Sequence, residues 1–370
     1  MKIAAIETVI LDIPLIRPHH LSFGTKTEIN ALIVRLKTDD GIEGLGEAVA
    51  SAGPAWGEES IETIQLIIER YLAPELIGLD PFQIELVNRR MARRARGNLF
   101  AKAAVEMACY DVLGKALDQP VYNLLGGLYR DRIPLSWSLA SGDADYEIAE
   151  AEKLIARGHF MFKIKVGEHA PDVDVLRVQR IAAAIGARAR LRVDANQGWD
   201  EMAAMASIPA LEAAGIELLE QPVPRWNTAA LARLARRFDI PIMADEAVCT
   251  PHDAFNLVKA EAADVFALKL TKAGGIAASK AVAAIAEAAG LPCYIGCMTE
   301  TGVGTAAYAH FGASTPNVTL GCELFGPMLI AEDIVQTPIR YEKGHVCVTS
   351  GPGFGVALDE AQVKKFRRKS

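Results

Sequence analysis

"FMFKIKVG", residues 160–167, is a short apolar run that carries two lysines. Side chains alternate between faces along a strand, so Lys163 and Lys165 point the same way from a segment otherwise built of Phe, Ile and Val. The run has seven companions: IPLSWSLA (133–140), ARLRVDANQG (189–198), GIELLEQP (215–222), IPIMADEA (240–247), VFALKLTKAGG (265–275), LPCYIGCMTE (291–300) and NVTLGCELFG (317–326). Each precedes an alanine-rich segment with helical patterning, roughly 10–15 residues long. Such alternation implies a parallel sheet with helical crossovers, and eight units predict a closed, TIM-type (β/α)8 barrel over residues 129–324.

The flanks have a different texture. In residues 1–128, IAAIETVILDIP (3–14) and ALIVRLKTDDGIEGLGEAV (31–49) predict three antiparallel strands, with TDDG turning between the last two. Helical patterns follow, and NLFAKAAVEMACYDVLGKAL (98–117) is the clearest. There Asn98 is placed to cap, and Ala104, Ala108 and Val112 recur on one face. This part reads as an α+β capping domain, which the irregular segment 325–370 is expected to rejoin.

Composition excludes several classes of function. A chain of 370 residues with 51% hydrophobic and 23% charged content fits a soluble globular protein. No apolar run approaches the ~20 residues of a membrane span, and acids interrupt the apolar start, so no signal peptide is expected. A net charge of -7 disfavours nucleic acid and anionic membranes as partners. The arginines of 89–96 and the tail KKFRRKS (364–370) read as solvated helix faces. Six cysteines stand singly at 109, 249, 293, 297, 322 and 347, which suits free thiols in a reducing cytoplasm.

Lys165, Asp194, Glu220, Asp245 and Lys269 close successive runs, at steps of 29, 26, 25 and 24 residues. Each step is one βα unit, so these side chains share a height on the face where barrels build active sites. Asp194, Glu220 and Asp245 are expected to converge as an oxygen-only donor set, which suits Mg2+ or Mn2+ better than zinc. Without a cation such carboxylates repel and hold protons. Lysines flank them on both sides, and an ammonium beside a metal ion has a depressed pKa that makes lysine competent as a base. The chemistry implied is proton transfer next to a carboxylate.

At KIK (163–165), RVDANQGW (192–199), LLEQP (218–222), MADE (243–246), ALKLTKAGG (267–275) and ELFGP (323–327), the sequence resembles the muconate lactonizing enzyme subgroup of the enolase superfamily. The resemblance implies Mg2+ or Mn2+ on Asp194, Glu220 and Asp245, with Lys165 as the proton-transfer residue and Lys163 orienting the carboxylate. It further implies that Lys269 stabilises from the opposite face, and that Glu323 acts as a proton donor paired with Lys165. Mandelate racemase-like members place a histidine after strand seven, where this chain has YIGCMTE (294–300). Dipeptide epimerases carry two aspartates one residue apart after strand eight, a pair missing from LGCELFGPMLIAEDIV (320–335). ELFGP, WSLASGD (137–143) and GNLFAKAAVE (97–106) are similar to muconate cycloisomerases in particular.

The resemblance therefore implies lactone formation from cis,cis-muconate or a related dicarboxylate through a metal-stabilised enediolate. Racemisation or epimerisation of N-acylated or cyclic amino acids, and dehydration of a hydroxy acid or hydroxyproline, would use the same lysines and metal. The chain departs from the family at Thr299, Glu300 and Thr301, where Leu-Glu-Gly is common, and in the loops RPHHLSFGT (17–25) and SAGPAWGEES (51–60). His19, His20 and Trp56 in those loops are candidate substrate contacts. Relatives are usually homo-oligomers, and a cytoplasmic homo-oligomer acting on small carboxylates is expected.

Overall fold

The computed structural model describes residues 1–50 and 53–369. Strands β1 (Ile3–Leu21), β2 (Gly24–Thr38) and β3 (Glu43–Ala50) form an antiparallel sheet in that order. β1 is longer than the apolar run 3–14 suggests. After an irregularity between Pro14 and His19 it pairs again, His19 opposite Lys26, so the segment RPHHL is strand rather than loop. The TDDG turn is present, with Gly41 at φ +89° in open space.

The helix Leu99–Ala116 lies across β3, and it is buried on nearly every side because the sheet and its neighbours enclose it. Its Ala104 and Ala108 meet Gly44 and Gly46 of β3, whose lack of side chains lets the two backbones touch. Asn98 does not cap this helix. Its backbone is left-handed, φ 51°, and its amide turns back to donate to the Arg96 carbonyl at 2.6 Å. Glu59 takes the capping role from the preceding loop, accepting from Phe100 N at 2.8 Å and Ala101 N at 3.3 Å.

Beyond β4 (Arg132–Pro134), eight parallel strands follow in chain order: β5 (Trp137–Leu139), β6 (Met161–Lys165), β7 (Arg190–Asp194), β8 (Leu219–Glu220), β9 (Ile242–Ala244), β10 (Val265–Leu268), β11 (Cys293–Ile295) and β12 (Val318–Cys322). The two edges meet where Leu135 bridges Cys322 and Ser136 N donates to the Cys322 carbonyl at 2.7 Å, closing the ring. The barrel is filled partly by charge: buried Arg192 donates to Glu217 at 2.6 Å and to the Leu320 carbonyl at 2.9 Å.

The C-terminal segment divides between the two parts. β13 (Tyr341–Glu342) and β14 (His345–Cys347) pair with β4 below the barrel. The last residues return to the first sheet, where Arg368 N reaches the Ile10 carbonyl at 2.9 Å and its guanidinium holds Asp12 at 2.6 Å. Cap and barrel are also tied by Glu47 of β3. Its carboxylate accepts from Thr301 N (2.8 Å), Thr301 Oγ1 (2.6 Å) and Gly304 N (2.6 Å), at the start of the barrel helix Gly302–Ala313. Among the described residues no helix is long and apolar enough to cross a membrane.

A Cβ at Gly46 would stand 1.9 Å from the Ala104 carbonyl oxygen, and neither backbone has room to yield. Gly46→Ala is expected to cost about 3 kcal/mol or more, at the upper end of overpacking. Gly41→Ala meets only backbone strain, roughly 1 kcal/mol. Thermal melts of the two variants check this: equal shifts would remove the close helix–sheet contact as a constraint.

Candidate active site

Parallel pairing places Lys165 opposite Asp194 and Asp194 opposite Glu220, so the strand ends bring their charges together by register alone. Lys163 is fully buried one pleat below. Its ammonium donates to Glu220, lies 2.6 Å from Glu323 Oε2 and 3.9 Å from Asp194 Oδ2, and stacks over the Tyr294 ring at 4.8 Å. Lys165 Nζ reaches Asp194 Oδ2 at 2.6 Å and Asn196 Oδ1 at 3.3 Å. Across the mouth, Lys269 binds Asp245 Oδ2 at 2.7 Å and sits 4.1 Å from the centre of the Trp56 ring. Lys272 holds the other oxygen, Asp245 Oδ1, at 2.6 Å.

The three carboxylates are neighbours but have not converged. Among the described residues no three carboxylate, imidazole or thiol groups stand together at ligating geometry. Each aspartate or glutamate instead faces an ammonium. The chemistry of the set still fits a hard divalent cation. Burial, then the charges of Asp194 and Asp245 among others, push the Glu220 carboxyl up to about 8. Its Oε1 is buried without a hydrogen-bond partner, as is Oε2 of the adjacent Glu246. Crowded anions with an orphaned oxygen are what a cation relieves, and Asp194, Glu220 and Asp245 are the residues that could hold it.

The depressed basicity expected of the lysines belongs to a site that holds a metal ion, and the carboxylates by themselves act in the opposite sense. Burial pushes Lys165 down, but the charges of Asp194 and Glu323 outweigh it and hold its pKa above the ordinary lysine value. Lys163 and Lys269 behave likewise, through Glu220 and Asp245 respectively. These carboxylates therefore keep all three lysines as ammonium groups.

Lys165, Lys269 and Glu323 line one cavity between barrel and cap, of about 30 Å³. Of the loop candidates, His19 and Trp56 line it and His20 does not. His19 and His20 are consecutive in a strand and so face opposite ways. His19 is buried against Phe325, and burial, then Lys26 and Lys165, keep it neutral. The His20 ring turns outward to Glu168 Oε2 at 3.2 Å. Ser51 and Ala52 of the second loop lie outside the described residues.

Four contributors escape a reading of strand ends. Lys272 lies three residues past Lys269, and the short helix Leu270–Ala273 turns it back onto Asp245. Asn196 and Glu246 each follow a predicted ligand by one or two residues, a spacing that could have flagged them. Lys26, which also lines the cavity, sits in GTKTE, a stretch that looks solvated.

The N-terminal domain family of mandelate racemase and muconate lactonizing enzyme matches residues 5–126, and the enolase C-terminal domain-like family matches residues 147–362. Muconate cycloisomerase 1 of Rhodococcus opacus is 43% identical over 369 residues, covering 100% of this chain and 99% of its own. A chloromuconate cycloisomerase of Cupriavidus pinatubonensis is 42% identical over 371 residues, with both chains covered in full. Among solved structures, muconate lactonizing enzyme from Pseudomonas fluorescens, complexed with muconolactone, superposes with a TM-score of 0.98 at 45% identity over 99% of each chain.

If Asp194, Glu220 and Asp245 form the cation site, Mn2+ at a hundred times its Kd should stabilise the protein by about 2.7 kcal/mol. The Asp194→Asn variant should lose that gain. Melting curves with Mn2+ and with chelator read it directly, and identical curves for the wild-type protein would remove the site.

Proposed function

The chain belongs to the muconate lactonizing enzyme subgroup of the enolase superfamily, and from that membership we propose that it closes cis,cis-muconate, or a related unsaturated dicarboxylate, to a lactone. The observation that carries this reading is an asymmetry across the cavity. Both lysines pair with a carboxylate, Lys165 with Asp194 at 2.6 Å and Lys269 with Asp245 at 2.7 Å, but Lys269 is in addition covered by the Trp56 ring at 4.1 Å and keeps 5% of its side-chain surface open against 10% for Lys165. In this reading Lys165 moves the proton and Lys269 offers positive charge.

One substrate carboxylate lies at the strand ends, oriented by the ammonium of Lys165 and by the field of buried Lys163. An oxygen of the second carboxylate adds to the alkene carbon β to the first, forming the ring C–O bond. The displaced electron pair moves toward the first carboxylate, where Lys163, Lys165 and Lys269 stabilise the added charge. Lys165 Nζ then gives its proton to the carbon α to that carboxylate and is recharged from water. One C–O and one C–H bond form, and nothing is oxidised. Glu323, 2.6 Å from Lys163, holds that ammonium in place. His19, neutral and buried, and Trp56 shape the wall and exclude water.

Metal dependence is general to the family. In this reading Mg2+ or Mn2+ on Asp194, Glu220 and Asp245 supplies Lewis-acid stabilisation of the same carboxylate. The reading also carries the expectation of a cytoplasmic homo-oligomer, as is usual among relatives.

Lys165→Arg retains the charge but cannot release a proton at working pH, so lactone formation should fall roughly a hundredfold or more. Wild-type turnover in that variant would reassign Lys165 to electrostatics.

Lys269→Arg should retain partial lactone-forming activity, because its part is charge alone. The competing racemase reading makes Lys269 a base. It would be favoured if this variant lost solvent-deuterium incorporation from one enantiomer of an N-acylamino acid and kept it from the other.

A further inference from the structure

We propose that Lys26 binds the second carboxylate of the substrate, the one whose oxygen enters the lactone ring, and thereby selects the open diacid over its product. This rests on the reading of the site as a dicarboxylate cyclase. Lys26 opens β2, opposite His19 in register, and so belongs to the cap rather than to the barrel. It is 7% exposed, and it lines the same cavity as Lys165, Lys269 and Glu323. The wall thus carries three ammonium groups, two of them paired with Asp194 and Asp245 at the strand ends and the third, Lys26, on the cap side, where the far end of an extended diacid would lie. Lys165 and Lys269 answer the end held at the barrel strands, and Lys26 answers from the cap.

The immediate surroundings support a ligand role. Lys26 Nζ donates to Thr299 Oγ1 at 2.8 Å, which fixes the direction of the ammonium. Thr299 holds φ +70°, a left-handed conformation that a β-branched residue seldom adopts. Thr299 is also where the chain departs from the Leu-Glu-Gly common in its relatives. Glu300 is a nearby acid whose charge acts on Lys26, and both its oxygens accept from Met298 N at 3.0 Å. Burial pushes the Lys26 pKa down to about 8, so the group is still charged at pH 7 and gains from an anion placed beside it.

The two ends of the substrate have different fates, which makes the role testable. One carboxylate remains an anion, while the other becomes a neutral ring ester on closure. A cation aimed at the second binds the diacid strongly and the lactone weakly. The experiment is steady-state kinetics of Lys26→Met with cis,cis-muconate, alongside the inhibition constant of muconolactone and a thermal melt. Lys26→Met should raise KM for muconate roughly 10- to 100-fold, the scale of one charge-assisted hydrogen bond, and move the lactone inhibition constant by less than about twofold. Lys26→Arg should recover most of the muconate affinity. An unchanged KM, or parallel rises in both constants, would overturn the proposal, the second by assigning Lys26 a structural role. Should Lys26→Met fail to fold, Lys26→Gln, which keeps a donor for Thr299, carries the same comparison. Absence of lactone formation by the wild-type enzyme overturns the cyclase reading and this proposal with it. A normal wild-type enzyme with an indifferent Lys26 variant overturns this proposal alone.

Discussion

The buried ammonium of Lys163 is the interaction on which the barrel mouth depends. It has no exposed surface, and three carboxylates from three different strand ends face it: Glu220, Glu323 and Asp194. Two unit charges about 4 Å apart interact by roughly 4 kcal/mol at an effective dielectric of 20. Without Lys163 that energy would be repulsion among anions that have no water to screen them. Lys165, Lys269 and Lys272 repeat the arrangement around Asp194 and Asp245. The lysines are therefore internal counterions for the acids that the strands bury. A cation held by Asp194, Glu220 and Asp245, as proposed, would share their oxygens with these ammonium groups, which would couple metal loading to lysine position.

The same coupling explains why the lysines are held protonated. Their field comes from the carboxylates, and it exceeds the penalty of burial. A lysine kept charged is ready to give a proton to carbon, which is what ring closure requires of it. Proton abstraction from the same face would need that field reduced, as a bound cation reduces it.

The barrel and its chemical face were legible because a parallel barrel repeats. Period-two alternation put Lys163 and Lys165 on one side, and steps near 25 residues put five charged groups at one height. Register then did the rest, since Lys165, Asp194 and Glu220 are direct neighbours across strands. What escaped the sequence depended on contacts between distant segments. Glu59 caps a helix some 40 residues later, displacing Asn98, and nothing local marks it. Lys26 reaches a cavity built 140 to 300 residues further on, from a stretch that resembles surface.

Glu47 ties the cap to the barrel through three hydrogen bonds at one helix start, and burial pushes its carboxyl up to about 8. Parting the two bodies there would strand an acid and two backbone amides at once. The cap sheet is thus fastened to the barrel at this helix start. Two regions that are matched separately in sequence share this buried contact, and a single melting transition rather than two is expected of them.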